Sequence, residues 1–199
     1  MHLKRAFDVA GSAAALALLL PVFVVIACTV WIESGRPVFF AQIRVGRGFR
    51  PFRMWKFRSM RPDPAGPSIT VAGDGRVTRV GAVLRALKLD ELPQFWNVLK
   101  GDMSLVGPRP EVPAYVGLYP ERYAAVLAVR PGITDLASLA YRHEEKLLAA
   151  EPDPHRFYCE VLLPEKLRLA DQYIQQQSFG LDVRILIRTF AAALNLKEA

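Results

Sequence analysis

An uncharged apolar run over residues 9–32 limits what this chain can fold into more than any other feature. It lies between Lys4 and Arg5 on one side and Glu33 and Arg36 on the other. A straight helix of this length would measure about 36 Å, enough to cross a hydrocarbon core of about 30 Å. The run therefore predicts contact with a membrane, and a single span is its simplest interpretation.

Two features favour a re-entrant helix–break–helix over a span. Basic residues flank both ends of the run, and positive charge tends to stay on the cytoplasmic side. Pro21 lies near the middle, where it removes a backbone hydrogen bond and kinks a helix. Each half would then measure roughly 18 Å, long enough to enter one leaflet and return. We expect both ends in the cytoplasm, although a span stays open on these grounds.

Export is the other alternative for this segment. Lys4-Arg5 before an apolar stretch resembles a signal peptide, and Val25-Ile26-Ala27-Cys28 resembles a bacterial lipoprotein cleavage box. The remaining chain instead suits machinery for a charged cytosolic substrate. Cys28 and Cys159 do not make a disulfide framework, so nothing indicates an oxidising compartment. The sequence also has no Cys/His cluster at metal-ligand spacing, so we expect no structural zinc.

Positive charge is concentrated directly after the apolar run. The formal net charge is +7, and over residues 33–61 the only acid is Glu33. Such a block favours an anionic partner, namely phospholipid headgroups, nucleic acid or a phosphorylated small molecule, and a merely solvated basic face is the alternative. The basic residues of the block are Arg36, Arg44, Arg47, Arg50, Arg53, Lys56, Arg58 and Arg61.

The rest of the chain predicts a mostly helical α+β unit rather than alternating βαβ. Two bulky segments, 38–40 and 53–57, are typical of extended structure around a turn, and residues 61–75 predict a mobile surface loop. The tail helix suits either a membrane surface or a core with two exposed arginines. Helical spacing or composition predicts helices over 77–87, 92–99, about 115–129, 144–150, 158–176 and 181–196. A division of the 115–129 helix at Pro120 stays open, and Pro164 is expected to disturb the 158–176 helix.

Two adjacent carboxylates, Asp90 and Glu91, lie near the start of a predicted helix in cationic surroundings. A carboxylate can attack phosphorus if arginines and a divalent metal offset its repulsion from the phosphate. Mg²⁺ is suitable because it takes oxygens from one or two carboxylates plus phosphate. Ordinary helix capping by first-turn acids is the alternative. The candidate phosphate-binding cations are Lys56, Arg58, Arg85, Lys88, Arg109 and Arg130.

Several short motifs, taken in order, resemble one family: the bacterial sugar transferases known as small monotopic phosphoglycosyl transferases, PglC-like. The resemblance extends from the membrane segment to about Thr134 and is weaker beyond it. The motifs are Lys56-Phe57-Arg58-Ser59-Met60, Leu89-Asp90-Glu91-Leu92-Pro93-Gln94, Asn97-Val98-Leu99-Lys100-Gly101-Asp102-Met103-Ser104, Gly107-Pro108-Arg109-Pro110 and Arg130-Pro131-Gly132-Ile133-Thr134.

This resemblance implies transfer of a sugar 1-phosphate from a UDP-sugar to polyprenyl (undecaprenyl) phosphate, with release of UMP. Such a reaction begins the assembly of many surface glycans and exopolysaccharides. The implied mechanism is ping-pong through a phosphosugar on Asp90, with Glu91 assisting proton handling or the Mg²⁺ site. Lys56 and Arg109 match positions expected to bind phosphate. The alternatives are a non-enzymatic basic membrane protein that binds anionic lipid, and a hydrolase of nucleotide sugars.

The resemblance also implies how the chain is organised. We expect a re-entrant membrane hairpin over residues 1–34, broken at Pro21, and a cytoplasmic catalytic domain with amphipathic interfacial helices over residues 35–199. The expected location is the cytoplasmic face of the bacterial inner membrane. UDP-sugar, polyprenyl phosphate and the bilayer are the expected partners. Nucleic acid is not expected, and a homo-oligomer stays open.

The chain departs from the family pattern at three places. Leu20 precedes Pro21 where a serine is frequent, and Lys88 replaces a small hydroxylic residue before the dyad. After Thr134, the family frequently has Gly-Leu-Ala-Gln and a later Gly-Arg, whereas this chain continues differently over residues 135–143. Arg142 is the candidate replacement for that later arginine, which would contact the nucleotide sugar. The identity of the sugar does not follow from the resemblance.

Overall fold

The computed structural model describes residues 2–62 and 69–193. It confirms a mostly helical α+β domain, here with two two-stranded sheets. The helices are α1 His2–Leu18, α2 Leu20–Ser34, α3 Arg79–Ala86, α4 Gln94–Lys100, α5 Pro113–Val116, α6 Pro120–Val126, α7 Leu136–Ala140, α8 Glu144–Ala149, α9 Pro154–Phe157, α10 Leu163–Gln176 and α11 Phe179–Ala193. The strands are β1 Phe39–Val45, β2 Pro51–Phe57, β3 Ser104–Val106 and β4 Gly132–Thr134.

The apolar run forms the bent pair α1–α2, with an angle of 61° between the two helices. Within the described residues no helix taken singly has the length and composition to cross a membrane, whereas this pair together does. The bend falls at Leu19 (φ −89°, ψ 4°), two residues before the predicted break at Pro21. Pro21 instead occupies the first turn of α2, where its missing N–H would have no helical partner and costs nothing.

The first turns of α1 are bonded to the domain rather than separate from it. The Arg5 guanidinium donates to the carbonyl oxygens of Val98 (2.7 Å) and Leu99 (3.0 Å), and the Asp8 carboxylate accepts the Leu105 N–H at 3.0 Å. The beginning of the predicted membrane segment is thereby fixed to the end of α4. Farther along the pair, large apolar side chains are exposed: Leu18, Leu20, Val24, Val25, Trp31 and Ile32.

The four strands form two small sheets. β1 and β2 form an antiparallel hairpin from the pair Phe39–Phe57 to the pair Val45–Pro51, which confirms the two predicted extended segments. β3 and β4 pair in parallel, with Ser104 beside Gly132. This second sheet was not predicted.

Two buried clusters fix the parts that surround the dyad. Ile26, Val30, Phe57 and Leu84 join α2 to β2 and α3. A second cluster ties the hairpin and α4 to β3, α10 and α11; its buried members are Met54, Val98, Met103, Leu105, Val106, Tyr173 and Ile185. The bent helix pair and the polar turn between α3 and α4 therefore share one packed framework.

Most of the helix predictions are confirmed, with one division. The predicted helix at about 115–129 is two short helices, α5 and α6, and Pro120 opens the second of them. The predicted helix over 158–176 begins as a π-helical turn at Tyr158–Leu162 and continues as α10, which has Pro164 in its first turn. The predicted disturbance of this helix is therefore confirmed. The predicted loop at 61–75 and the tail helix at 181–196 fall partly outside the described residues.

Candidate active site

A single 3₁₀ turn, Leu89–Glu91, presents the two adjacent carboxylates. Lys88 has a left-handed backbone (φ 56°, ψ 21°), which ends α3 and redirects the chain into this turn. α4 begins only at Gln94, and its N-cap is Pro93, which makes no side-chain capping bond. Helix capping is therefore not the role of Asp90 or Glu91, and the alternative left open by the sequence is wrong.

Glu91 lies between two cations contributed by distant segments. Its Oε1 accepts from Lys56 Nζ of β2 at 2.8 Å and from Arg109 Nη2 at 2.7 Å. Arg109 Nη1 lies 3.5 Å from Oε2 of the same carboxylate. The Glu91 side chain is only 12% exposed, so these charge-assisted bonds are poorly screened by water. The turn is thus flanked by an ordered pair of positive charges.

The environments of the two carboxylates shift their pKa values in opposite directions. Burial raises the pKa of Asp90 above its usual value, and the charge of Glu91 adds to this; Lys56 only partly offsets it. Burial would also raise the pKa of Glu91, but the charges and hydrogen bonds of Arg109 and Lys56 outweigh it and hold that pKa well below the usual range. Paired acids that diverge in this way perform different tasks.

Lys56 and Arg109 respond to the same arrangement. Burial lowers the pKa of the Lys56 ammonium, and the charge of Glu91 opposes that change. For Arg109 the charge of Glu91 dominates and raises the pKa of the guanidinium above its ordinary value, against the effect of burial. Glu91 thus keeps two cations charged and in place beside Asp90.

Arg109 is held by a residue that the sequence analysis missed. The Asp135 carboxylate is 3% exposed; it accepts the Arg109 backbone N–H at 3.1 Å and the Ser138 N–H at 2.7 Å, which caps α7. Close contact of Gly107 with Gly132 brings the two loops together, because a Cβ on Gly132 would lie 2.1 Å from the Gly107 nitrogen. The available signal was the aspartate itself, because aspartate is a preferred N-cap residue.

Two other predicted cations, Arg58 and Arg85, bind backbone carbonyl oxygens or an acid outside the dyad. Arg58 Nη2 donates to the carbonyl oxygens of Ser34 (2.5 Å) and Gly35 (2.6 Å), so it fixes the end of α2. Arg85 forms an ion pair with Glu145 of α8. The charge of Arg85 still reaches the site, since it lowers the pKa of Asp90.

Lys88 adjoins the dyad in sequence and lowers the pKa of Asp90, whereas Arg130 lies elsewhere. Arg130 donates through Nε to the carbonyl oxygen of Gly101 at 2.9 Å, at the far end of α4. α4 has seven residues, so its two ends are roughly 10 Å apart. Arg142 is half-buried in the turn between α7 and α8. The structure therefore gathers Lys56, Arg85 and Arg109 around the dyad and places Arg130 apart from it.

The predicted Mg²⁺ site depends on which oxygen atoms are available to bind the ion. Among residues 2–62 and 69–193, no group of three or more His, Cys, Asp or Glu side chains could hold a metal ion. Mg²⁺ does not require one, because it is commonly bound by one or two carboxylates together with substrate phosphates. Asp90 and Oε2 of Glu91 are the oxygens suited to such a shared site, because Oε1 of Glu91 already accepts from two cations whereas Oε2 has only the long 3.5 Å contact with Arg109 Nη1.

Sequence comparison relates this chain to known proteins. A family model described as bacterial sugar transferase matches residues 1–196. A UDP-N-acetylgalactosamine-undecaprenyl-phosphate N-acetylgalactosaminephosphotransferase of Aeromonas hydrophila is 40% identical over 96% of this chain and 44% of its own length. A UDP-glucose:undecaprenyl-phosphate glucose-1-phosphate transferase of Caulobacter vibrioides is 39% identical over 98% of this chain and 71% of its own length. The chain thus spans less than half of the first relative.

A third relative is named for its biological role. The exopolysaccharide production protein PSS of Rhizobium leguminosarum is 44% identical over 69% of this chain and 73% of its own length.

Proposed function

The chain belongs to the bacterial sugar transferase family, and we propose that it transfers a sugar 1-phosphate from a UDP-sugar to polyprenyl phosphate, releasing UMP. The carrying observation is the asymmetric dyad, in which Glu91 is locked between Lys56 and Arg109 while Asp90 has a raised pKa. The relatives whose names specify UDP-sugars and undecaprenyl phosphate support the same substrates. The bent helix pair beside the dyad suits a lipid-linked acceptor.

Asp90 is the nucleophile in this proposal. A carboxylate oxygen of Asp90 attacks the phosphorus that bears the sugar, and the bond from that phosphorus to the bridging oxygen breaks. UMP leaves with the bridging oxygen and its electron pair. A carboxylate with a raised pKa is the more basic and more nucleophilic of the two acids, which assigns this role to Asp90 rather than Glu91.

An oxygen of polyprenyl phosphate then attacks the same phosphorus. The bond between phosphorus and the aspartyl oxygen breaks, and Asp90 returns to its carboxylate form. Lys56 and Arg109 offset the negative charge on the phosphoryl oxygens in both steps, because Glu91 holds them in position without neutralising both. Bound Mg²⁺, held by Asp90 and Glu91 with the diphosphate, would supply further positive charge.

The direct test of the proposal is UMP release from a panel of UDP-sugars, with and without polyprenyl phosphate. We expect sustained UMP release only when the lipid acceptor is present. Sustained turnover without the acceptor would identify a nucleotide-sugar hydrolase. No UMP release from any sugar, together with lipid binding that weakens steeply with salt, would identify a non-enzymatic lipid-binding protein.

The rate of UMP release should depend on the ionisation of Asp90. Its pKa lies above the ordinary 3.8, so the rate should rise with pH through a limb above that value, as the attacking carboxylate forms. The charge of Lys88 lowers this pKa, so Lys88→Asn should move the limb to higher pH. Single-turnover rates across pH provide the measurement.

A matched control for this prediction is Lys100→Asn, because Lys100 is exposed at the opposite end of α4. The limb should stay in place in that variant. A limb that moves equally in both variants, or that Lys88→Asn leaves unchanged, would show that Asp90 does not govern the profile.

The re-entrant arrangement at the cytoplasmic membrane face is also part of the proposal. In a chain with Cys28 and Cys159 replaced by serine, single cysteines at His2 and Arg36 should both be protected from an impermeant maleimide added to intact spheroplasts. Both should react after lysis. Labelling of one position from outside would indicate a span and would leave the catalytic assignment untouched.

A further inference from the structure

A second concentration of arginines surrounds a cleft at the far end of the hairpin. The cleft has a volume of about 550 Å³, within the usual range for small-ligand sites. Arg47 and Arg50 contribute from the turn between β1 and β2, and Arg130 contributes from the segment before β4. Asp102 is the acid in the lining, and it already pairs with Lys100 at 3.3 Å.

The cleft and the dyad lie at opposite ends of both β2 and α4. Lys56 and Pro51 are five residues apart on β2, which corresponds to roughly 17 Å. Gly101, which lines the cleft, follows α4, whose other end adjoins the dyad. The inference therefore does not rest on the proposed transfer reaction.

The cleft is built from segments that are hydrogen-bonded to one another. The Gly48 N–H donates to the Leu127 carbonyl at 2.8 Å, which fixes the hairpin turn against the segment that leads to Arg130. Arg130 in turn donates to the Gly101 carbonyl at 2.9 Å. The arginines thus come from an ordered frame, so a ligand would not have to organise the turn on binding.

The charges in the cleft repel one another. Burial lowers the pKa of the Arg130 guanidinium, and the nearby charges of Arg5 and Arg47 lower it further. A cluster of like charges that the fold holds together is relieved by an anion. Guanidinium groups match phosphate oxygens in geometry and pair with them through charge-assisted hydrogen bonds.

We propose that the cleft lined by Arg47, Arg50 and Arg130 binds the phosphate ester of a second ligand, distinct from the substrates at Asp90. A phospholipid headgroup is one source of such a phosphate in the proposed membrane arrangement, because Arg5 belongs to the first turn of α1, the first helix of the apolar pair. A soluble phosphate ester presents the same chemistry. The lipid and the soluble ester are separated by the experiment.

The test uses the protein in detergent, titrated with phosphatidylglycerol or with glycerol 3-phosphate and followed by native mass spectrometry. The altered protein is R47Q/R50Q, in which two exposed arginines lose their charge. The control R156Q/R168Q removes the same charge from side chains that are 72% and 60% exposed on α9 and α10. We expect saturable binding that R47Q/R50Q weakens by about tenfold or more and that the control leaves unchanged.

Saturable binding of the lipid alone would identify a headgroup site, and binding of glycerol 3-phosphate that displaces the lipid would identify a site for soluble esters. Equal affinity in the two double variants, or no saturable binding of either probe, would overturn the proposal. UMP release by R47Q/R50Q, measured in the same detergent, should stay at the unaltered level. This readout separates the cleft from the transfer reaction.

Discussion

Replacing Asp90 with asparagine should reduce UMP release by at least about 10³-fold, because the amide has no carboxylate oxygen with which to attack phosphorus. The asparagine side chain has nearly the same shape as the aspartate and would preserve the turn at Leu89–Glu91. The fold should not suffer. Burial raises the pKa of Asp90, which means that the folded state disfavours the charged form at neutral pH, and the substitution removes that penalty.

Asp171→Asn provides the control for this variant. Asp171 is 35% exposed and pairs with Arg122 at 3.5 Å, well outside the dyad, so its substitution should leave UMP release unchanged. Thermal unfolding of both variants should match that of the unaltered chain or, for Asp90→Asn, exceed it. An Asp90→Asn protein that retains full activity would remove Asp90 as the nucleophile.

Replacing Glu91 with glutamine should have the second-largest effect and should act on stability and activity together. Lys56 and Arg109 would lose the anion that they share and would repel each other. Removing one partner of a buried ionic arrangement costs about 3 kcal/mol in the free energy of unfolding, taken at the low end because Arg109 is 30% exposed. Activity should fall by roughly 10²-fold, since both phosphate-facing cations lose their orientation.

The effect of Glu91→Gln on stability should depend on pH with a definite sign. The pKa of Glu91 is lowered well below 4.5 in the folded state. Its stabilising contribution is therefore fully present above the unfolded pKa and disappears as pH falls through the folded pKa. The difference in unfolding free energy between the variant and the unaltered chain should shrink at acidic pH.

Glu165→Gln is the matched control for Glu91→Gln. Glu165 is 44% exposed and pairs with Arg168 on the surface of α10, where water screens the interaction. We expect no measurable change in the unfolding midpoint or in UMP release. If Glu91→Gln left the unfolding midpoint and UMP release unchanged, as this control should, the ion pairs of Glu91 would contribute to neither stability nor activity.

Local patterns in the sequence were sufficient for much of the fold. The hairpin, α3, α4 and the bent apolar pair follow from hydrophobic spacing, turn residues and a proline, all of which act within one segment. β3 and β4 escaped prediction because each has three residues and is stable only beside the other, across the intervening helices. Such pairing depends on tertiary contact, which a single segment does not encode.

The candidate site, too, could be predicted from the sequence only in part. The sequence identified Asp90, Glu91, Lys56 and Arg109 by residue type and resemblance, and the structure brings these four together. It could not show that Glu91 rather than Asp90 takes both cations, because that depends on side-chain geometry across three segments. Nor could it show that Arg130, grouped with the others by residue type, lies at the far end of α4 beside Gly101.

Between the two half-reactions, the sugar-bearing phosphoryl group should be esterified to Asp90. The most direct measurement uses whichever UDP-sugar gives the highest UMP release in the panel, labelled in the sugar and mixed with enzyme in the absence of polyprenyl phosphate. We predict a burst of about one UMP per enzyme molecule, and label on a peptide that contains Asp90 until lipid acceptor discharges it. Efficient turnover with acceptor, but without a burst or any labelled protein, would rule out the covalent intermediate on Asp90.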